Sequence, residues 1–145
     1  MIDNGNVKDA RRYPIQDLHR ITVELLKHIH SVSIRFGKTF SPGVRDEGSL
    51  VNIATRISKM ASDRSDMSSI AAFAVERMVK DHPFRDGNHR TAYELGRLIC
   101  IFFNNRLDVS IEEAVSFMRR IDDENLPADE IARWIEERKT AMKGP

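Results

Sequence analysis

Apolar residues recur at three- and four-residue intervals along most of the chain, and only a few polar stretches interrupt them. From Pro14, the residues Ile15, Leu18, Ile21, Leu25, Ile29, Val32 and Phe36 form one stripe. That stripe predicts a long amphipathic helix ended by Gly37. After a turn at Ser41-Pro42-Gly43, the spacing of Leu50, Ile53, Ala54 and Ile57 predicts a helix over about 48–60. The polar run from Ser62 to Asp66 breaks the pattern, and Asp66 is placed to cap a strongly apolar helix over about 67–81. Pro83 stops that helix, because the residue before a proline is pushed out of the α region.

A further helix is predicted over about 89–104, with Ala92, Leu95, Ile99, Phe102 and Phe103 in its stripe. Gly96 would let a neighbouring backbone approach it closely, and Asn104-Asn105 ends it. Ser110 and Glu113 have the spacing of a capping box, in which each side chain satisfies the other's amide. Ile111, Ala114, Val115, Met118 and Ile121 continue the helix that follows. The last helix begins at Pro127, with Asp129 and Glu130 at its positive end, Ala128, Ile131 and Ile135 facing inward, and Trp134 beside them. No strand pattern, repeat or low-complexity segment interrupts this series. The expectation is an all-α bundle of about six helices built around a central helix-loop-helix.

Composition narrows the class. A chain of 145 residues is long enough for one domain with its own core. Residues 1–13 read as a flexible lead-in and 14–145 as a single helical domain. The net charge of +1 gives no overall field for nucleic acid or acidic lipid. A short basic helix-turn-helix is also missing, so direct nucleic-acid binding is not expected. One cysteine, Cys100, means no disulfide framework and suits a reducing cytoplasm. No apolar segment reaches membrane-spanning length. His19, His28 and His30 are read as solvated or edge residues of the first helix, since no carboxylate shares a face with a pair of them.

The candidate chemistry lies in the link between the two most apolar helices, His82-Pro83-Phe84-Arg85-Asp86-Gly87-Asn88-His89-Arg90. Taken singly, each residue has a plain reading: His82 a helix-end histidine, Asp86 a cap, Arg90 a solvated helix residue, Phe84 core. Together they suggest more. The free amides that open the second helix form an anion site, and Gly87 lets the backbone approach a ligand. Arg90 suits phosphate oxygens, and Asp86 is a hard oxygen ligand for Mg2+. His82 carries an imidazole that can take a proton from a hydroxyl. A base, a metal ligand and an anion cradle are the parts that phosphoryl or nucleotidyl transfer needs.

The stretch resembles the signature of the Fic/Doc (Fido) family, H-x-F-x-D/E-G-N-x-R/K, which His82, Phe84, Asp86, Gly87, Asn88 and Arg90 all match. Pro42-Gly43-Val44-Arg45-Asp46 with Leu50 is similar to the G-x-x-D segment ahead of the second helix in Doc-type members. The resemblance implies a helical fold from about residue 14 and roles for the matching positions. His82 would be the general base for a Ser, Thr or Tyr hydroxyl of a target protein, and Asp86 would ligate Mg2+. Gly87, Asn88 and His89 would line the anion site, Arg90 would hold the phosphates of ATP or another nucleoside triphosphate, and Phe84 would anchor the loop. A flap over roughly Ile57 to Asp66 would align the target chain. Members that transfer AMP continue with a small residue and a further arginine where this chain has His89 and Tyr93. That leans the sequence toward the Doc-type members, which transfer phosphate.

In some members an internal inhibitory helix carries Ser or Thr four residues ahead of Glu-Gly or Glu-Asn. Here Arg120 precedes Glu124-Asn125 and Gly43 precedes Glu47-Gly48, so the pattern is not met and an antitoxin-like inhibitor in trans is implied instead. Two other readings stand beside the transferase. One is a metal-dependent phosphohydrolase using His82, Asp86 and His89. The other is a catalytically inactive domain that binds a nucleotide or partner.

Overall fold

Four of the six described helices begin where a side-chain oxygen is offered to an unpaired backbone amide. The computed structural model describes Leu18, residues 20–35 and residues 43–142. The expected lead-in, the ends of the first stripe at Ile15 and Phe36, Gly37, His19 and the turn at Ser41-Pro42 lie outside the described residues. Those residues form six α-helices: α1 Val23–Arg35, α2 Glu47–Ser62, α3 Met67–Asp81, α4 Asn88–Phe102, α5 Ile111–Glu124 and α6 Ala128–Arg138. Asp46 caps α2 by accepting from the Ser49 amide at 3.2 Å, and Asp66 caps α3 by accepting from the Ser69 amide at 2.8 Å. The fold is all-α, as the periodicity predicts.

Several expectations need correction. Among the described residues the first helix starts at Val23, where the Thr22 hydroxyl accepts from the Leu25 amide, and the expected start at Pro14 lies outside them. Leu18 and Arg20 lie in 3-10 turns, whose three-residue spacing is easily read as part of the same helical stripe. The buried face of α1 also lies one position round from the apolar stripe. It consists of Leu26, Ile29, His30 and Ser33, while Leu25 and Val32 are half-buried.

Strands are present too. Asn105–Leu107 (β1) pairs antiparallel with Lys139–Ala141 (β2), tying the residues after α4 to those after α6. Three-residue strands are too short to show a period-two pattern in sequence. The capping box is only half made. Ser110 accepts from the Glu113 amide at 3.1 Å, but the Glu113 carboxylate takes Arg138 Nε at 3.0 Å.

The core centres on α3, which packs against α4 and α6 most extensively and against α2 and α5 as well. Nine of its fifteen residues are buried, which explains why its apolar positions cover most of its circumference. Gly96 of α4 makes a close approach possible, but to a side chain and not a backbone. A Cβ there would lie 2.8 Å from Val75 Cγ2 of α3. Trp134 is buried and stacks on Phe117 with ring centroids 4.2 Å apart, which fixes α6 on α5. Cys100 is a buried free thiol whose pKa is pushed up to about 11 by desolvation, so it is inert. Among the described residues no helix is long and apolar enough to cross a membrane.

Candidate active site

The loop between α3 and α4 is built from two backbone conformations that few residues adopt. His82 ends α3 in the left-handed region at φ 49°, and Gly87 opens α4 at φ 76°. Glycine is required at the second position for space as well as for torsion. A Cβ on Gly87 would fall 2.6 Å from Ile34 Cγ2. Between them, Phe84 is almost fully buried, and its ring stacks on His30 of α1 with centroids 3.8 Å apart and planes 4° from parallel. Asn88 closes the loop from beneath. Its Oδ1 accepts from the Phe84 amide and its Nδ2 donates to the Phe84 carbonyl, each at 3.0 Å. The Thr91 hydroxyl and amide both donate to the Gly87 carbonyl, at 2.8 and 3.0 Å.

The segment before α2 lies alongside this loop. Val44 forms an antiparallel bridge with Phe84, the Arg85 amide donates to the Gly43 carbonyl, and the Arg45 and Asp46 amides donate to the Pro83 carbonyl. Arg45 also donates from Nε to the His82 carbonyl at 2.7 Å and from Nη2 to the Asp81 carbonyl. A guanidinium there satisfies the last carbonyls of α3 and complements the negative end of its dipole. The flap expected over Ile57 to Asp66 is not formed. Residues to Ser62 continue α2, and Asp63–Asp66 make a tight connection with Arg64 in the left-handed region. The segment that runs beside the motif is 43–46.

His30 corrects the edge-histidine reading. It is buried, and its Nε2 donates to the Asp86 carbonyl at 2.8 Å. Desolvation holds its pKa below the usual histidine value. His28 is exposed, as expected.

The remaining motif side chains face outward and are half-exposed. Asp86 accepts from the Gly87 amide through Oδ1 at 2.8 Å, which leaves Oδ2 without a partner among the described residues. Among the described residues no side chain caps α4, so its first amides are open to an anion. Asn88 can contribute only its backbone N–H to that site, because its carboxamide is committed to Phe84. Arg90 lines a groove of about 310 Å³ together with Ile111, Glu112, Val115, Ser116 and Arg119 of α5. Tyr93 is buried, with its phenol pKa raised by desolvation, and faces the core.

Asp122 of α5 is the residue that sequence reading missed. Its Oδ2 accepts from His89 Nε2 at 3.1 Å, and its Oδ1 lies 3.5 Å from His82 Nε2. One carboxylate thus touches both motif imidazoles and holds His82 beside the first turn of α4. Asp122 stands in the run Asp122-Asp123-Glu124, which in sequence looks like any solvated helix end. Arg119 was missed for the same reason, one turn earlier on the same face. His82, Asp86 and His89 do not form a preformed metal triad, and among the described residues no three His, Cys, Asp or Glu side chains are placed to hold an ion.

A search among curated proteins finds no match to the chain. A profile of the Fic/DOC family matches residues 14–100, more than half of the chain, from before α1 to near the end of α4. The matched span contains the whole loop, all of α3, all but the last two residues of α4 and the segment that pairs with the loop. The chain belongs to the Fic/DOC family.

Proposed function

We propose that the protein is a Mg2+-dependent transferase that uses ATP, or another nucleoside triphosphate, to modify a Ser, Thr or Tyr hydroxyl of a target protein. The observation that carries this reading is the contact of Asp122 with both imidazoles. It gathers the ring of His82 with that of His89 from the first turn of α4, a helix whose start is open to a phosphate. His82 takes the proton of the incoming hydroxyl, whose oxygen forms a bond to phosphorus as the bond to the leaving phosphate oxygen breaks. Attack at the γ phosphorus gives a phosphoprotein and nucleoside diphosphate. Attack at the α phosphorus gives a nucleotidyl protein and pyrophosphate. Arg90 and the amides of Asn88 to Arg90 hold the phosphates, with the Arg119 guanidinium facing the same groove. Asp86 fits Mg2+, since its free Oδ2 is a hard donor and such sites are completed by substrate phosphates. When bound, the ion would neutralise phosphate charge.

Phosphate transfer is the favoured branch. Tyr93 is buried, and the second groove arginine comes from α5. The expected setting is the cytoplasm, where nucleotide and Mg2+ are abundant, with an antitoxin-like partner as the restraint. Incubation of lysate proteins with the enzyme and ATP labelled at the α or γ phosphorus tests this. Label from the γ position should appear on a protein band, and His82→Ala should reduce it about 10²–10⁴-fold without loss of fold. Label from the α position would instead establish AMP transfer. Equal labelling by His82→Ala would remove His82 as the base.

A further inference from the structure

We propose that Asp122 is the positioning residue for His82, and that it assigns the proton-accepting role to Nδ1 of that histidine. This rests on the transferase reading above. His82 has few other constraints on its ring. It lies just past the end of α3 in a left-handed conformation, its carbonyl is fixed by Arg45, and its side chain is 44% exposed. Among the described residues its one side-chain partner is Asp122.

Asp122 is suited to this by its own restraints. Its neighbours Asp123 and Glu124 are exposed, and Glu124 is taken up by Arg120 at 3.1 Å. Asp122 is more sheltered, and His89 binds its second oxygen at 3.1 Å. One oxygen for each imidazole fixes the plane of the carboxylate, so His89 orients the residue that orients His82.

The chemistry then follows from the atoms. An ionised carboxylate only accepts hydrogen bonds, so a neutral His82 facing it through Nε2 carries its proton on Nε2. The lone pair is left on Nδ1. The 3.5 Å separation is longer than an ordinary hydrogen bond, and such contacts tighten when substrate closes the site. In the reaction, Nδ1 takes the hydroxyl proton as the oxygen bonds to phosphorus and the leaving phosphate departs with the electron pair of the broken bond. The resulting imidazolium faces Asp122 through Nε2–H, and the proton passes from Nδ1 to solvent or to the leaving phosphate. Asp122 therefore acts more strongly on the charged transition state than on nucleotide binding, which involves Arg90 and the α4 amides.

The test is Asp122→Asn, which keeps size and helix while removing the charge. We expect kcat to fall about tenfold to a hundredfold, less than the ~10²–10⁴-fold of losing the base itself, with KM for ATP within about twofold. A rise in KM at constant kcat, or a rise in kcat, would overturn the proposal. The second outcome would make Asp122 a latch on His82. An independent readout needs no turnover. In nitrogen-15 spectra of the parent near neutral pH, His82 should be the Nε2–H tautomer, and Asp122→Ala should shift it toward a mixture. A parent that is already mixed would refute the assignment. If the parent transfers no label but shows the fixed tautomer, the transferase reading fails while the positioning contact stands.

Discussion

The inner and outer faces of the α3–α4 loop are built from neighbouring residues but in opposite ways. On the inner face, Phe84, Asn88 and Thr91 are buried, and the Asn88 and Thr91 side chains have matched hydrogen-bond partners, with His30 of α1 lying flat against Phe84. On the outer face, His82, Asp86, His89 and Arg90 are half-exposed, and among the described residues no side chain caps the helix they precede or begin. Burial with full satisfaction leaves the inner residues one conformation each. Partial exposure with free amides, a free carboxylate oxygen and a groove leaves the outer residues able to meet a ligand. The family motif is thus two devices interleaved at single-residue spacing, a lock facing in and chemistry facing out.

The sharpest way to break that division is at Phe84. Truncating a fully buried aromatic removes both transfer energy and packing, at about 3–5 kcal/mol. Phe84→Ala should lower stability by that amount in urea denaturation, whereas His82→Ala should cost less than about 1 kcal/mol and act on turnover. If the two variants unfold at the same urea concentration, the inner face is not the lock described here. Asn88 comes next. Asn88→Ala leaves the Phe84 amide and carbonyl buried without partners, each worth about 1–3 kcal/mol, so a loss of about 2–4 kcal/mol is expected. Asn88→Asp keeps the acceptor and loses only the donor, and should fall between the parent and the alanine variant. A neutral Asn88→Ala would mean that water replaces both bonds and that the loop is open.

What the sequence could reveal divides along a similar line. Interactions within a helical turn or two are readable: the start of α2 near residue 48, Asp66 as a cap, Pro83 as a stop, and the stripe of α2 on Leu50, Ile53, Ala54 and Ile57. The motif could be recognised because its parts are consecutive. The contacts that complete the site span 33 residues for His89 with Asp122 and 56 for His30 with Asp86. Nothing in local spacing encodes them. Asp122 sits among other acids on a polar helix face, and His30 interrupts an apolar stripe. A purely apolar reading of α1 therefore rotated its buried face away from the histidine that supports the loop. The start of α1 at Val23 is not legible in the spacing, because 3-10 and α turns share their three-residue recurrence and only the Thr22 cap separates Arg20 from the helix.

The smallest expected effect is the pH dependence contributed by His30, and it tests whether the lock is sealed against water. In the folded protein, burial holds its pKa below the ordinary value of 6.5, while the hydrogen bond to the Asp86 carbonyl opposes that shift without cancelling it. As pH falls through 6.5 the unfolded chain takes up a proton at this residue before the folded chain does. More protons are then bound in the unfolded state, so stability decreases as pH falls. The decrease continues to the folded-state pKa and stops below it. His30→Phe keeps a flat ring against Phe84 and cannot titrate there, at the expense of one hydrogen bond worth about 1 kcal/mol. The parent should therefore be the more stable of the two near pH 8, and its advantage should shrink as the pH is lowered past 6.5. Urea midpoints for both proteins across that range give the difference directly, with every other titrating group common to the pair. An advantage that stays constant would mean His30 protonates as readily folded as unfolded. Water would then reach the ring, and the inner face would be no more closed than the outer one.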